Sequence, residues 1–245
     1  MLIFVHYQGA CMKLSAIAAA VALSLPLTAF AEATATAQIG NFRYEVIDLD
    51  LNDGIDAALT LDDTGFVLMA AFQQNGVANP LDYLTEEGTV SATVSHGSSA
   101  VTFADGVASA SASHAGTQGQ LFGTFGWDSS FSLTANTKLV VYADASVAGT
   151  YDDDRYGTSN AGLFADYWTT EEVEVRDYMI SHLGSSDART LSIVFSSGAE
   201  AISGEIGYTA SAYANVSAVP EPSQVALLTL GLAGLGWRLR RAQRK

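Results

Sequence analysis

The chain has 245 residues, 26 carboxylates against 11 Lys and Arg, and a formal net charge of −15. Its basic residues gather at the end as Arg238, Arg240, Arg241, Arg244 and Lys245, so residues 32–219 hold five basic residues against 25 carboxylates, a net of −20. Such a field excludes nucleic-acid phosphates and anionic lipid as partners of the middle of the chain, and with Cys11 as the only cysteine that region has no disulfide framework and no thiol chemistry.

Taken from the start, Met12-Lys13 is followed by an apolar run over 14–27 and then Ala29-Phe30-Ala31. A short charged head, an apolar stretch of this length and small residues at alternate positions make a secretion signal, with Ala29 and Ala31 marking cleavage by signal peptidase after Ala31. Residues before Met12 add nothing to that signal, so Met12 is the expected true start; a longer charged head from Met1 is the alternative. Residues 1–31 are therefore read as signal peptide, 32–218 as one acidic β-rich extracytoplasmic domain, and 219–245 as a separate tail. A domain of about 190 residues buries enough surface to fold on its apolar core without disulfides.

Within the domain the first concentrated carboxylate pattern is Asp48-x-Asp50-x-Asn52-Asp53-Gly54-x-Asp56. Oxygen ligands at alternate positions suit calcium, yet Gly54 falls one residue late for a helix-loop-helix calcium loop, and Leu59 occupies the position that should carry a bidentate carboxylate. A strand over 44–51 closing in an Asn-Asp-Gly turn is the reading preferred to a calcium site built on Asp48, Asp50, Asn52 and Asp56.

Period-2 alternation then recurs: Val90, Ala92 and Val94; Leu139, Val141, Ala143, Ala145 and Val147; Leu191, Ile193 and Phe195; Ile206, Tyr208, Ala210, Ala212, Ala214 and Val216. Asn52-Asp53-Gly54, Asp63-Thr64-Gly65, Asn75-Gly76, Asp105-Gly106 and Ser197-Gly198 read as turns between strands. The Ala/Ser alternation over 107–113 predicts a strand packed closely under a neighbour, with a low-complexity linker as the rival. Residues 162–183 predict strands with a bulge where Tyr178, Met179 and Ile180 break the alternation. Many short strands with two faces to cover predict an all-β fold, an antiparallel β-sandwich of jelly-roll type; strand order is not legible.

Asp152-Asp153-Asp154 is a second calcium candidate, with Asp144 or Asp166 as partners, against the alternative of a solvated loop. No other cofactor is implied. His96, His114 and His182 are isolated, and no metalloprotease, nucleophile-elbow or phosphate-loop pattern occurs, so no catalytic residue is assigned. Tyr151, Tyr156, Tyr167 and Trp168 flank the acidic loop and could form a platform for sugar rings, although core packing is the more common use of such residues.

At the end, Pro220-Glu221-Pro222 holds the chain extended, residues 225–237 are apolar apart from Thr229, and Arg238, Arg240 and Arg241 follow. Thirteen residues reach about 20 Å as a single transmembrane helix, short of a hydrocarbon core of about 30 Å, and the basic cluster keeps its end cytoplasmic. Pro-Glu-Pro, a Gly/Leu-rich helix and an Arg cluster in this order resemble the PEP-CTERM sorting signal of exported bacterial proteins. The resemblance implies that an exosortase recognises and trims the tail at the inner membrane, and that the protein passes to the cell surface or extracellular matrix of a Gram-negative bacterium. It further implies a non-enzymatic role associated with exopolysaccharide or biofilm; the alternative is a secreted, glycosidase-like hydrolase of matrix polysaccharide, whose two carboxylates the sequence cannot single out.

Overall fold

The computed structural model describes residues 32–217, apart from 75–76, 117, 153–154, 170 and 182–183. The signal peptide and the sorting tail therefore lie outside the described residues, as do Asp153, Asp154 and His182.

The described chain is all-β. In order, the strands are β1 (Ala33–Asp48), β2 (Leu59–Gln74), β3 (Val77–Leu84), β4 (Gly88–Val94), β5 (Gly97–Ala104), β6 (Val107–His114) and β7 (Gly119–Leu133). They continue with β8 (Thr137–Gly149), β9 (Tyr151–Asp152), β10 (Arg155–Trp168), β11 (Glu172–Ile180), β12 (Ser186–Ser196) and β13 (Ile202–Val216). Two antiparallel sheets result, one of six strands in the order β12-β8-β1-β6-β5-β4 and one of seven in the order β11-β10-β13-β7-β2-β3, with β9 paired to β10. Strands from both sheets contribute to one buried cluster, giving a β-sandwich-like fold. Its first strand, β1, and its last, β13, are both interior to their sheets.

Alternation is the cause of this layering, because successive strand residues point to opposite faces. Strand β8 buries Leu139, Val141, Ala143, Ala145 and Val147, and β13 buries Ile206, Tyr208, Ala210, Ala212, Ala214 and Val216. The core tapers. At one end Ala35 and Ala37 of β1 lie beside Ala112 and Ala110 of β6, while in the other sheet Gly157 and Ser159 of β10 lie beside Ala214 and Ala212 of β13. Small side chains bring the backbones close: a Cβ on Gly157 would land on the Thr34 carbonyl, and one on Gly123 would approach Val101 to 2.8 Å. Ser159 of β10 donates to the Ala148 carbonyl of β8 at 2.9 Å, a polar tie between the sheets. At the other end rings fill a wider gap: Phe125 stacks on Phe103 at 4.9 Å, Trp127 meets Tyr208 at 5.1 Å, and Tyr167 stacks on Phe195 at 5.1 Å.

The Ala/Ser stretch is strand β6, with Ala108, Ala110 and Ala112 buried. Asp105 and Gly106 both take positive φ, 53° and 72°, in the tight β5–β6 turn. Two local expectations are corrected. Asp63-Thr64-Gly65 is no turn between strands: β2 runs through it with a register shift, and Gly65 takes φ 113°, so the glycine serves a bulge. Residues 162–180 carry no bulge, because β10 and β11 pair in unbroken register from Asn160–Ile180 to Trp168–Glu172, with Met179 inward and Tyr178 and Ile180 outward.

Three side-chain systems fasten the sheets. Arg189 of β12 forms a two-pronged pair with Asp177 of β11, 2.9 and 2.6 Å, joining edge strands of opposite sheets, and Asp177 also accepts the Ser192 amide at 2.9 Å. The guanidinium, chiefly, holds the Asp177 carboxyl below the usual range and raises its own affinity for protons in return. On the outer face of the six-stranded sheet, Asp144 accepts from Thr190, Arg43 and Asn41, and these three bonds depress its pKa. His114, 3% exposed, accepts the Gly116 amide on Nδ1, leaving Nε2 to donate to the Gln118 carbonyl, so it closes the β6–β7 connection.

Candidate functional site

The acidic loop after β1 is held by its own backbone. Asp48 accepts the Asp50 amide, Asp50 accepts the Asn52 amide and Asp53 accepts the Ile55 amide, at 2.9, 3.1 and 2.7 Å. Asn136 donates to the other Asp53 oxygen at 2.7 Å, and this bond is the main cause of its lowered pKa. Gly54 supplies the φ of 74° that the turn needs. Asp56 is exposed and presents its carbonyl to Thr134. Among the described residues no three His, Cys, Asp or Glu side chains are arranged to hold a metal ion.

Asp152 is exposed in β9 opposite Arg155. Asp144 and Asp166 lie on the outer faces of opposite sheets, so the sandwich separates them. The four aromatic candidates are also dispersed. Tyr151 faces Tyr156 across the β9–β10 pair, Tyr167 is 8% exposed in the core, and Trp168 stands twelve residues from Tyr156, about 40 Å along the strand.

A different surface converges. On the outer face of the seven-stranded sheet, register places Gly126 of β7, Thr209 of β13, Gly162 of β10 and Tyr178 of β11 in one row across four strands. Gly162 leaves a floor without a side chain between Thr209 and Tyr178: a Cβ there would lie 3.3 Å from Thr209 Oγ1 and 3.8 Å from Tyr178 Cβ. A groove of about 500 Å³ follows, lined by Asn160, Phe164, Asp166, Arg176, Tyr178, Ile180 and Thr209 among others. From Asn160 to Asp166 it extends about 20 Å along β10. Tyr178 is 62% exposed, and the Phe164 ring leans over Gly207, whose Cβ would meet it at 2.7 Å.

Its polar end is a row of carboxylates: Glu205, Asp166 and Glu174 are direct cross-strand neighbours, and Arg176 pairs with Glu174. An exposed ring on an edge strand, a bare floor and amide, hydroxyl and carboxylate groups around it can stack an apolar sugar face while accepting and donating hydrogen bonds to hydroxyls. Sequence reading missed this groove because its members lie on three strands and meet only through register.

No curated protein and no solved structure matches the chain. Residues 218–241 match the family model described as the PEP-CTERM protein-sorting motif, so the chain carries the sorting motif of exported proteins processed by an exosortase.

Proposed function

We propose that the domain is a non-enzymatic polysaccharide-binding element of the bacterial surface or extracellular matrix, delivered by signal peptidase cleavage after Ala31 and exosortase trimming near Pro220-Glu221-Pro222. The groove over Gly162 carries the reading. It offers Tyr178 and Phe164 as ring surfaces, Asn160, Thr209 and Asp166 as hydroxyl partners, and an open-ended length of about 20 Å that suits a linear chain passing through. In the same reading the apolar run over 225–237 holds the protein at the inner membrane of a Gram-negative cell until processing releases the domain.

A glycan array run beside a turnover assay on the purified secreted protein tests it. The expected result is retention of a linear glycan without release of products, a loss of at least tenfold in affinity for Tyr178→Ala, and no change for Tyr83→Ala, a comparably exposed tyrosine on β3. Product release would favour the secreted hydrolase instead. Intact-mass analysis of the same material checks delivery: the mature chain should begin at Glu32 and lack residues 223–245.

A further inference from the structure

Edge strands expose unpaired backbone groups, and proteins usually block them. Four strands end the two sheets here, and three are blocked. Strand β12 carries Asp187 and Arg189 and is fastened to β11 by the Arg189–Asp177 pair. Strand β11 contains Glu172, Glu174, Arg176 and Asp177. Strand β3 contains Pro80 and Asp82, and its pairing with β2 shifts register between Ala70 and Phe72.

Strand β4 has none of these devices. Its sequence, Gly-Thr-Val-Ser-Ala-Thr-Val, has no charge and no proline, and it pairs with β5 alone, in unbroken register over seven residues. The vacancy extends inward: residues 88–127 contain a single formally charged side chain, Asp105, whereas the domain as a whole carries −20. Two copies of so acidic a domain repel each other wherever carboxylates meet, which leaves the β4 corner as the surface where their approach is unopposed.

We propose that β4 is a self-association edge, pairing antiparallel with β4 of a second copy about a two-fold axis through Ser91. That axis uses all seven residues, setting Thr89 opposite Thr93 and Val90 opposite Ala92, and keeps each outward residue beside another outward one. It extends the six-stranded sheet to twelve strands across two copies. Glu86, the nearest carboxylate but one, comes opposite His96 of the second copy rather than opposite another acid. The occupant is a second copy because the edge complements itself in length, shape and lack of charge.

Sedimentation equilibrium of the mature secreted protein at about 0.15 M salt tests this. Wild type should give twice the protomer mass across a micromolar range. Ser91→Lys, which sets two ammonium groups side by side at the axis, and Ser91→Glu should each give the single mass with unchanged circular dichroism. An equimolar mixture of those two variants should recover the doubled mass, and Ser196→Lys on β12 should leave it intact. A monomeric wild type, a Ser91→Lys variant that still dimerises, or a mixture that fails to recover would each overturn the proposal.

Discussion

Replacing Asp177 by Ala should loosen the joint between edge strands β11 and β12. The carboxylate accepts two bonds from Arg189 and one from the Ser192 amide. Hydrogen bonds to a charged group are worth about 1.5–3 kcal/mol when shielded, but the Arg189 side chain is 43% exposed and water screens the pair. The discounted loss is about 2 kcal/mol, and a domain of this size should then melt roughly 4–8 °C lower. Urea titration of wild type, Asp177→Ala, Arg189→Ala and the double variant should show a coupling of about 1 kcal/mol. The sign with pH is fixed by the depressed carboxyl pKa: the contribution is complete above the unfolded value of about 3.9 and disappears as pH falls through the lower folded value. Wild type and Asp177→Asn should therefore differ at neutral pH and converge in strong acid. A coupling below about 0.3 kcal/mol would show that the two side chains act independently and that the joint is held by packing alone.

The tapering core predicts opposite outcomes for two glycines: Gly157→Ala drives a methyl into the Thr34 carbonyl and should cost more than about 3 kcal/mol, while Gly126→Ala meets nothing within 4 Å and should be neutral or slightly stabilising by chemical denaturation. Gly162→Val should fill the groove floor and abolish glycan retention on the array while leaving the melting curve nearly unchanged, since the added atoms point to solvent. Because Asp48, Asp50 and Asp53 already serve neighbouring amides, millimolar calcium should leave the melting temperature where chelator leaves it; a rise of several degrees would identify a metal site instead. Acidification should weaken the domain through Asp53, Asp144 and Asp177 together, all with depressed pKa, so the unfolding midpoint should fall steadily once pH drops below about 4.

Strand identity was legible wherever one face is buried and the other is wet. Val141 and Ala143 against Tyr142 and Asp144, or Ala110 and Ala112 against Ser109 and Ser111, report their own layer through period 2 alone. Bulges were not legible in this way. Gly65 marks one by its φ, but Asp-Thr-Gly is equally good turn chemistry, and only the pairing of β2 with β7 distinguishes them. Conversely, Tyr178-Met179-Ile180 looked like a break because three bulky residues in a row hide an alternation that burial makes plain. Lateral neighbours are the property the chain order conceals: Gly126, Gly162, Tyr178 and Thr209 span 84 positions, and nothing local says that they share a row. The sorting motif was legible because its parts are contiguous.

The places of β1 and β13 set the order in which the domain can assemble. Each is flanked on both sides, so neither sheet can be completed from the chain that emerges first from the secretion channel: Ala33–Asp48 waits for β6 and β8, and β7 and β10 stay apart until Ile202–Val216 is threaded between them. Only Ser217 lies between Val216 and the start of the sorting match at 218. The seven-stranded sheet is therefore not closed until the last strand before the sorting motif is in place, so the fold is completed at the point in the chain where the tail begins.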